Sequence, residues 1–325
     1  MLLKRFILTA AAVALSAGAS ATAVKAQQVV TADGSSTVFP ITEAAAEAFQ
    51  KENPGIRVTV AFSGSTAGFR KFCNGEIDIV NSSKVIGERE IAACRARGIR
   101  YIELPVAFDA LTVVVNPQNT WATNLTTEEL KAIWEPNSRI NNWNQVRQGF
   151  PNQPLRLFGA GAQSGTFEYF TEAINGRARA SRTDYTPSED DNVLVQGVVR
   201  DRGAMGYFGL AYYEENKARL RAVSINGVEP TIANVKSGRY KPLARPLFIY
   251  VNADSAKRPE VARFVSFYLR RGSQFARKAG YVSFPDAIYA RVLSKFTAGK
   301  LGTAFGGKAQ IGVSLEELLT RDTSL

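Results

Sequence analysis

The sequence predicts an α/β fold, and three observations predict it. Apolar, β-like runs alternate with amphipathic segments of helical period along most of the chain. Three times such a run leads into a cluster of Gly, Ser and Thr that opens a helix-like segment. These clusters are Gly34-Ser35-Ser36-Thr37, Ser63-Gly64-Ser65-Thr66-Ala67-Gly68 and Gln163-Ser164-Gly165-Thr166. The length, 325 residues, suits two ordinary domains or one large one. A helix N-terminus carries unpaired N–H groups and the positive end of a dipole; hydroxyls add donors, and glycine admits close backbone approach. One such cluster is what an ordinary N-cap looks like. Three of one composition suggest loops that converge on one small oxyanion.

The elements follow in order. Lys4 and Arg5 precede an apolar run from Phe6 to about Ala17, then small residues, the layout of a secretory signal peptide over residues 1–26. The run is too short to span a bilayer. The chain left after cleavage is expected to be soluble and exported. It begins with a strand at residues 29–32, enters the first cluster and continues as an amphipathic helix over 41–51, with Ala44, Ala45, Ala48 and Phe49 inward. Asn53-Pro54-Gly55 ends that helix, and residues 56–62 alternate as a strand. The second cluster opens a helix over 69–73. A short strand at 77–80 runs into Asn81-Ser82-Ser83-Lys84, and a helix over 88–97 is closed by Gly98. Residues 111–117 form the next strand. Thr126 caps a helix over 127–134, the third cluster follows, and residues 193–199 read as another helix. A strand at 247–252 and an amphipathic helix over 259–269 come last; the Gly-rich stretch 299–307 has no clear assignment.

Composition narrows the function. Net charge falls from +11 to +8 once Lys4, Arg5 and Lys25 leave with the signal, and a basic field attracts anions. Lys and Arg are scattered and no nucleic-acid motif is present, so nucleic acid is not expected as a partner. The chain has no His, which removes His-based triads and His-ligated zinc; no metal or cofactor is expected. Its two cysteines, Cys73 and Cys94, read as a disulfide in an exported protein, the alternative being two buried thiols.

Three segments resemble the periplasmic phosphate-binding proteins of ABC transporters: Asp33 through Ile41, Ser164-Gly165-Thr166-Phe167, and Gly203 through Phe208. The runs Ser188 through Gly197 and Arg245 through Val251 are similar to a branch of that family common in cyanobacteria and proteobacteria. The resemblance covers nearly the whole chain after the signal. It implies a two-domain periplasmic binding protein fold of type II, with the ligand in the interdomain cleft. Domain I would hold 27–108 plus 250–325 and domain II 109–249, joined by crossing strands. It also implies a monomer in the periplasm that captures inorganic phosphate and delivers it to an inner-membrane ABC permease.

The resemblance carries a ligand set with it. The first cluster supplies Ser36, Thr37 and the backbone of Val38, the second supplies Ser65, and the third supplies Ser164, Gly165 and Thr166. Two positions depart from the family pattern. An Asp that accepts the ligand's proton after the third strand is Ser83 here, followed by Lys84, and an Arg four residues before Ser164 is Ala160. Ser83 stays in the expected ligand set and Lys84 is the candidate replacement cation; Asp190 and Asp191 look as much like N-caps as like acceptors. Gly302 through Ala309 nearly spells a P-loop but has Ala309 where Ser or Thr is needed, so it reads as a surface loop. Two other functions compete: a phosphate-sensing or surface protein on the same fold, and a phosphate-ester hydrolase using Ser36, Ser65 or Ser164. Without His the second lacks an evident general base.

Overall fold

A computed structural model describes residues 28–308, 311–313 and 317–318. The signal peptide expected over 1–26 and most of the chain after 308 lie outside the described residues.

Period-2 runs of β-branched residues build the first half of the sheet. Strand β1 (Gln28–Gly34) leads into helix α1 (Phe39–Glu52), β2 (Ile56–Val60), α2 (Ser65–Cys73), β3 (Ile79–Ser82) and α3 (Glu88–Ala96). Both β2 and β3 run parallel to β1, as helical crossover connections require. Helix α2 begins four residues before the segment expected from periodicity, because the hydroxyl cluster is itself the first turn. The Cys73–Cys94 disulfide is formed, with S–S 2.02 Å, and ties the end of α2 to α3.

The longest strand, β4 (Tyr101–Val115), is buried along its entire length. Its first ten residues escape sequence patterning: a strand covered on both faces does not alternate, and Glu103, Pro105 and Asp109 interrupt its apolar character. After β4 come β5 (Asn124–Leu125), α4 (Thr127–Trp134), β6 (Arg156–Ala160), α5 (Gly165–Asn175), β7 (Thr186–Ser188), α6 (Asp191–Arg200), β8 (Ala204–Gly209), α7 (Leu210–Asn216), β9 (Arg221–Ala222), β10 (Ser224–Ile225) and α8 (Ile232–Lys236). Thr126 caps α4 as expected, accepting from the Glu129 N–H in a reciprocal capping box. Strand β11 (Ala244–Asn252) then returns, followed by α9 (Pro259–Arg270), α10 (Gly272–Lys278) and α11 (Asp286–Thr297).

One sheet runs β2-β1-β3-β11-β4-β8-β6-β7, with β9 on β4. The antiparallel β4–β11 pair is its waist: β11 pairs with β3 on one side, while β4 passes from β11 to β8 near Ala110 and Leu111. Register on this pair sets Arg245 directly opposite Asp109. Beyond the waist, Leu194, Val195 and Val198 of α6 pack on Val114, Ala204 and Phe208. Among the described residues no helix is long and apolar enough to cross a membrane.

Candidate anion-binding site

Each hydroxyl cluster opens a helix, and the three helix starts meet. The first wraps from β1 into α1: the Ser35 N–H donates to the Asn81 carbonyl at 2.9 Å, and Ser35, Ser36, Thr37 and Val38 are all buried. The second opens α2 after Gly64, whose φ of 89° lies in the left-handed region that glycine tolerates. An added Cβ there would come within 2.3 Å of the Gln163 carbonyl, so the second and third clusters are in direct contact. The Thr66 N–H donates to that same carbonyl at 2.9 Å. The third opens α5, with Ser164 as N-cap accepting from the Thr166 N–H at 3.0 Å. That bond leaves the Ser164 hydroxyl hydrogen free to donate elsewhere.

The contacts between clusters are short. The hydroxyls of Thr37 and Thr166 lie 3.1 Å apart, and those of Ser65 and Ser83 lie 3.3 Å apart, with the Ser83 N–H donating to Ser65 Oγ at 3.2 Å. Gly165 is the pivot of this packing. A Cβ on it would fall 2.5 Å from Ser65 Oγ and 2.9 Å from Ser83 Oγ, so no larger residue fits without moving both. Ser36, Thr37, Val38, Ser65, Ser83, Ser164, Gly165 and Thr166 are thus brought together, with the positive ends of α1, α2 and α5 around them.

The cation at this cluster is Arg245, which the sequence reading quoted only as part of a strand. Its side chain is fully buried; Nη2 donates to Thr166 Oγ1 at 3.0 Å and lies 3.3 Å from Thr37 Oγ1. Nε and Nη2 both reach Asp109 Oδ2, at 3.0 and 2.9 Å. The Leu210 N–H at the start of α7 satisfies Asp109 Oδ1 at 3.0 Å. Burial pushes the Asp109 carboxyl up, while Arg245 and the Leu210 N–H pull it back. Arg245 Nη1 is buried and has no hydrogen-bond partner.

Lys84, the candidate cation of the sequence reading, is committed elsewhere. Its ammonium sits between Glu90 Oε1 at 2.5 Å and Glu168 Oε2 at 2.9 Å. Burial works against the charged form, but Glu168 and Glu90 outweigh it and the Lys84 pKa is raised. Glu168, on α5, also accepts from Thr66 Oγ1 at 2.7 Å and Arg179 Nη1 at 2.9 Å. These groups form a charged rim beside a cavity of about 1070 Å³, whose wall includes Ser83, Lys84, Gln163, Glu168, Tyr169 and Arg245. The two aspartates also separate. Asp190 is an ordinary N-cap, accepting from the Asn192 N–H at 2.9 Å, whereas Asp191 is buried and its Oδ2 has no partner.

Sequence reasoning missed Arg245, Asp109 and Glu168. A signal for the first two was present: charges in the middle of apolar strands are seldom buried unless paired. What the sequence lacked was the register that pairs them across 136 positions.

The comparisons with known proteins bear on this arrangement. Residues 17–271 match the PBP superfamily domain. The protein SphX of Synechococcus elongatus is 53% identical over 90% of this chain and 88% of its own length. The phosphate-binding protein PstS of Staphylococcus saprophyticus is 34% identical over 86% of this chain and 87% of its own length. Among solved structures, a possible phosphate-binding protein from Planctomyces limnophilus is 47% identical, with a TM-score of 0.63, over 84% of this chain and 99% of that one. A phosphate ABC transporter substrate-binding protein from Clostridium perfringens, solved with bound phosphate, is 25% identical, with a TM-score of 0.70, over 79% of this chain and all of that one. On these likenesses the chain belongs to the PBP superfamily and, within it, to the family that includes SphX and the phosphate-binding protein PstS.

Proposed function

We propose that this protein is an exported binding protein that captures inorganic phosphate between two lobes, 27–108 plus 250–325 and 109–249, and hands it to an inner-membrane ABC permease. The observation that carries the reading is the meeting of three helix N-termini and their hydroxyls around the buried Arg245. A tetrahedral oxyanion needs many donors and little net positive charge. Hydroxyls, backbone N–H groups and helix dipoles supply them without the desolvation cost of several free cations. In this reading Ser36, Thr37, the backbone of Val38, Ser65, Ser164, Gly165 and Thr166 hold the anion, Ser83 orients Ser65, and Arg245 supplies the cation. Lys84 closes the rim rather than touching the ligand. The named relatives and the phosphate-bound neighbour support phosphate as the guest.

The reading is of a binder and not of a catalyst. The Ser65 hydroxyl is paired with Ser83, and no imidazole exists to activate it. The test is calorimetric titration of the purified protein with phosphate, beside an assay of phosphate-ester hydrolysis. Saturable binding at one site with no turnover is expected. A flat titration would refute the reading, and sustained ester cleavage would replace it with the hydrolase.

A further inference from the structure

The residues that follow α11 take a course with no signal in the sequence. The Gly302 N–H donates to the Tyr101 carbonyl at 2.9 Å and the Ala304 N–H to Glu103 Oε1 at 3.0 Å, which fixes them to the start of β4. Phe305 packs edge-on against Phe248 of β11, with ring centroids 5.7 Å apart. Gly307 lies against α3, where an added Cβ would come within 2.8 Å of Ile91 Cδ1. Gly312 donates its N–H to the Tyr169 hydroxyl at 3.2 Å, and Val313 beside it is buried. Residues that start on β4 thus end on α5, the helix that the third hydroxyl cluster opens.

Tyr169 also touches the cation of the site. Its ring centroid lies 5.6 Å from Arg245 Cζ, within reach of a cation–π attraction that desolvation strengthens. Its hydroxyl lies 2.7 Å from the Ala244 carbonyl and 2.9 Å from that of Pro242, where the chain enters the strand that carries Arg245. The single hydroxyl hydrogen serves those two acceptors, and a lone pair takes the Gly312 N–H. Burial pushes the phenol up to about 12, so it stays neutral at physiological pH. Thr166, three residues earlier on α5, accepts from Arg245 Nη2 at 3.0 Å. Residues three apart share a helix face, so one face of α5 offers the guanidinium both an acceptor and an aromatic ring.

Resting on the phosphate reading, we propose that Tyr169 is a positioning residue of the anion site: its ring and hydroxyl hold Arg245 toward Thr166 and Thr37, and residues 311–313 act on affinity through that hydroxyl. Arginine has a long, rotamer-rich side chain, and a cation that wanders gives an anion less than one already in place. Asp109 fixes the guanidinium from β4, and Tyr169 fixes it from α5. Tyr169 need not touch the ligand to do this. A shift of Gly312 moves the hydroxyl, and the hydroxyl moves the carbonyls on either side of Arg245.

Phosphate titration and denaturant unfolding of the full chain test this in Tyr169→Phe, Tyr169→Leu, Gly312→Pro and the double variant Tyr169→Phe with Gly312→Pro. Tyr169→Phe keeps the ring and should lose about two- to tenfold in affinity, what one ordinary hydrogen bond is worth. Tyr169→Leu also loses the ring and should fall by up to about thirtyfold more, so phenylalanine rescues most of the leucine defect. Gly312→Pro removes the N–H and forbids the φ of 67°, and should match Tyr169→Phe in size. The double variant should lose no more than either single one, because both act through one hydroxyl. Affinity measured where each variant is fully folded separates positioning from scaffolding. Wild-type affinity in folded Tyr169→Leu would overturn the proposal, and so would losses that simply add in the double variant. Should Tyr169→Leu fail to fold, the cycle between Tyr169→Phe and Gly312→Pro decides. Failure of the wild type to bind phosphate would instead overturn the function beneath it.

Discussion

The cleft contains two ion-pair systems of similar bond length and opposite character. On its floor, Arg245 and Asp109 meet at 2.9 Å with neither side chain exposed. At its rim, Lys84 meets Glu168 at 2.9 Å, with side-chain exposures of 10% and 15%, and Arg179, 41% exposed, joins them. The floor pair is held by two neighbouring strands and cannot part without breaking the waist of the sheet. The rim pair joins a loop after β3 to α5, elements whose separation disturbs no strand pairing. The contrast teaches that distance says little about an ion pair's role. Burial sets the penalty for breaking it, and connectivity decides whether it shapes a site or clasps one shut.

The largest effect is expected on the floor. Arg245→Ala leaves Asp109 buried and unpaired, at a cost of about 3–5 kcal/mol, and removes the donors to Thr37 and Thr166. Chemical denaturation should show the loss of stability, and phosphate titration the loss of binding. The double variant Arg245→Met with Asp109→Leu should recover most of the stability but no affinity, which separates the pair's structural part from its part in the site. Recovery of phosphate binding in the double variant would break the comparison, because the floor would then be scaffolding only.

Gly165→Ala should come next. Its Cβ must push apart Ser65 and Ser83, so affinity should fall by about one to two orders of magnitude, with a stability loss of no more than about 1–3 kcal/mol from overpacking. Thermal melts with and without phosphate measure both quantities.

The smallest effect belongs to the rim. Glu168→Gln keeps the side chain's shape and leaves Lys84 paired with Glu90. The expected loss is about 0.5–1 kcal/mol, or two- to fivefold in affinity, falling mainly on the dissociation rate and shrinking in high salt. Stopped-flow release of phosphate at low and high ionic strength checks it. A hundredfold loss would place the rim, with Lys84, inside the site and merge the two regions.

The burial of Asp191 also predicts a pH dependence of folding. Asp191 titrates near its ordinary value of 3.8 in the unfolded chain and at about 7 in the folded one. Between those values the folded state holds the extra proton, so stability from this group is greatest below about pH 4 and declines as pH rises to about 7. Asp191→Asn should flatten that part of the stability profile.

How much of this was legible beforehand depends on the range of the interaction. The helix starts were readable because capping is local: Thr126 meets Glu129 three residues on, and Ser164 caps its own helix. The core faces of α1 were readable from period alone, with Ala44, Ala45 and Phe49 buried as expected. The first ten residues of β4 were not, because a fully buried strand offers no alternation to detect. The partners of Lys84 were hidden for a related reason. Its partners Glu90 and Glu168 lie 6 and 84 positions away, and nothing local distinguishes a lysine facing an anion from one facing two carboxylates.

The sequence by itself determined the α/β class, the three hydroxyl-rich helix starts and the family, because each rests on local pattern or on motifs in fixed order. Only the tertiary structure decided which charges occupy the cleft. Arg245 meets Asp109 through the register of the β4–β11 pair, and Lys84 meets Glu168 across 84 positions of chain. A charge becomes part of a site when the groups that desolvate and pair it arrive from elsewhere in the chain, and that arrival is a property of the fold.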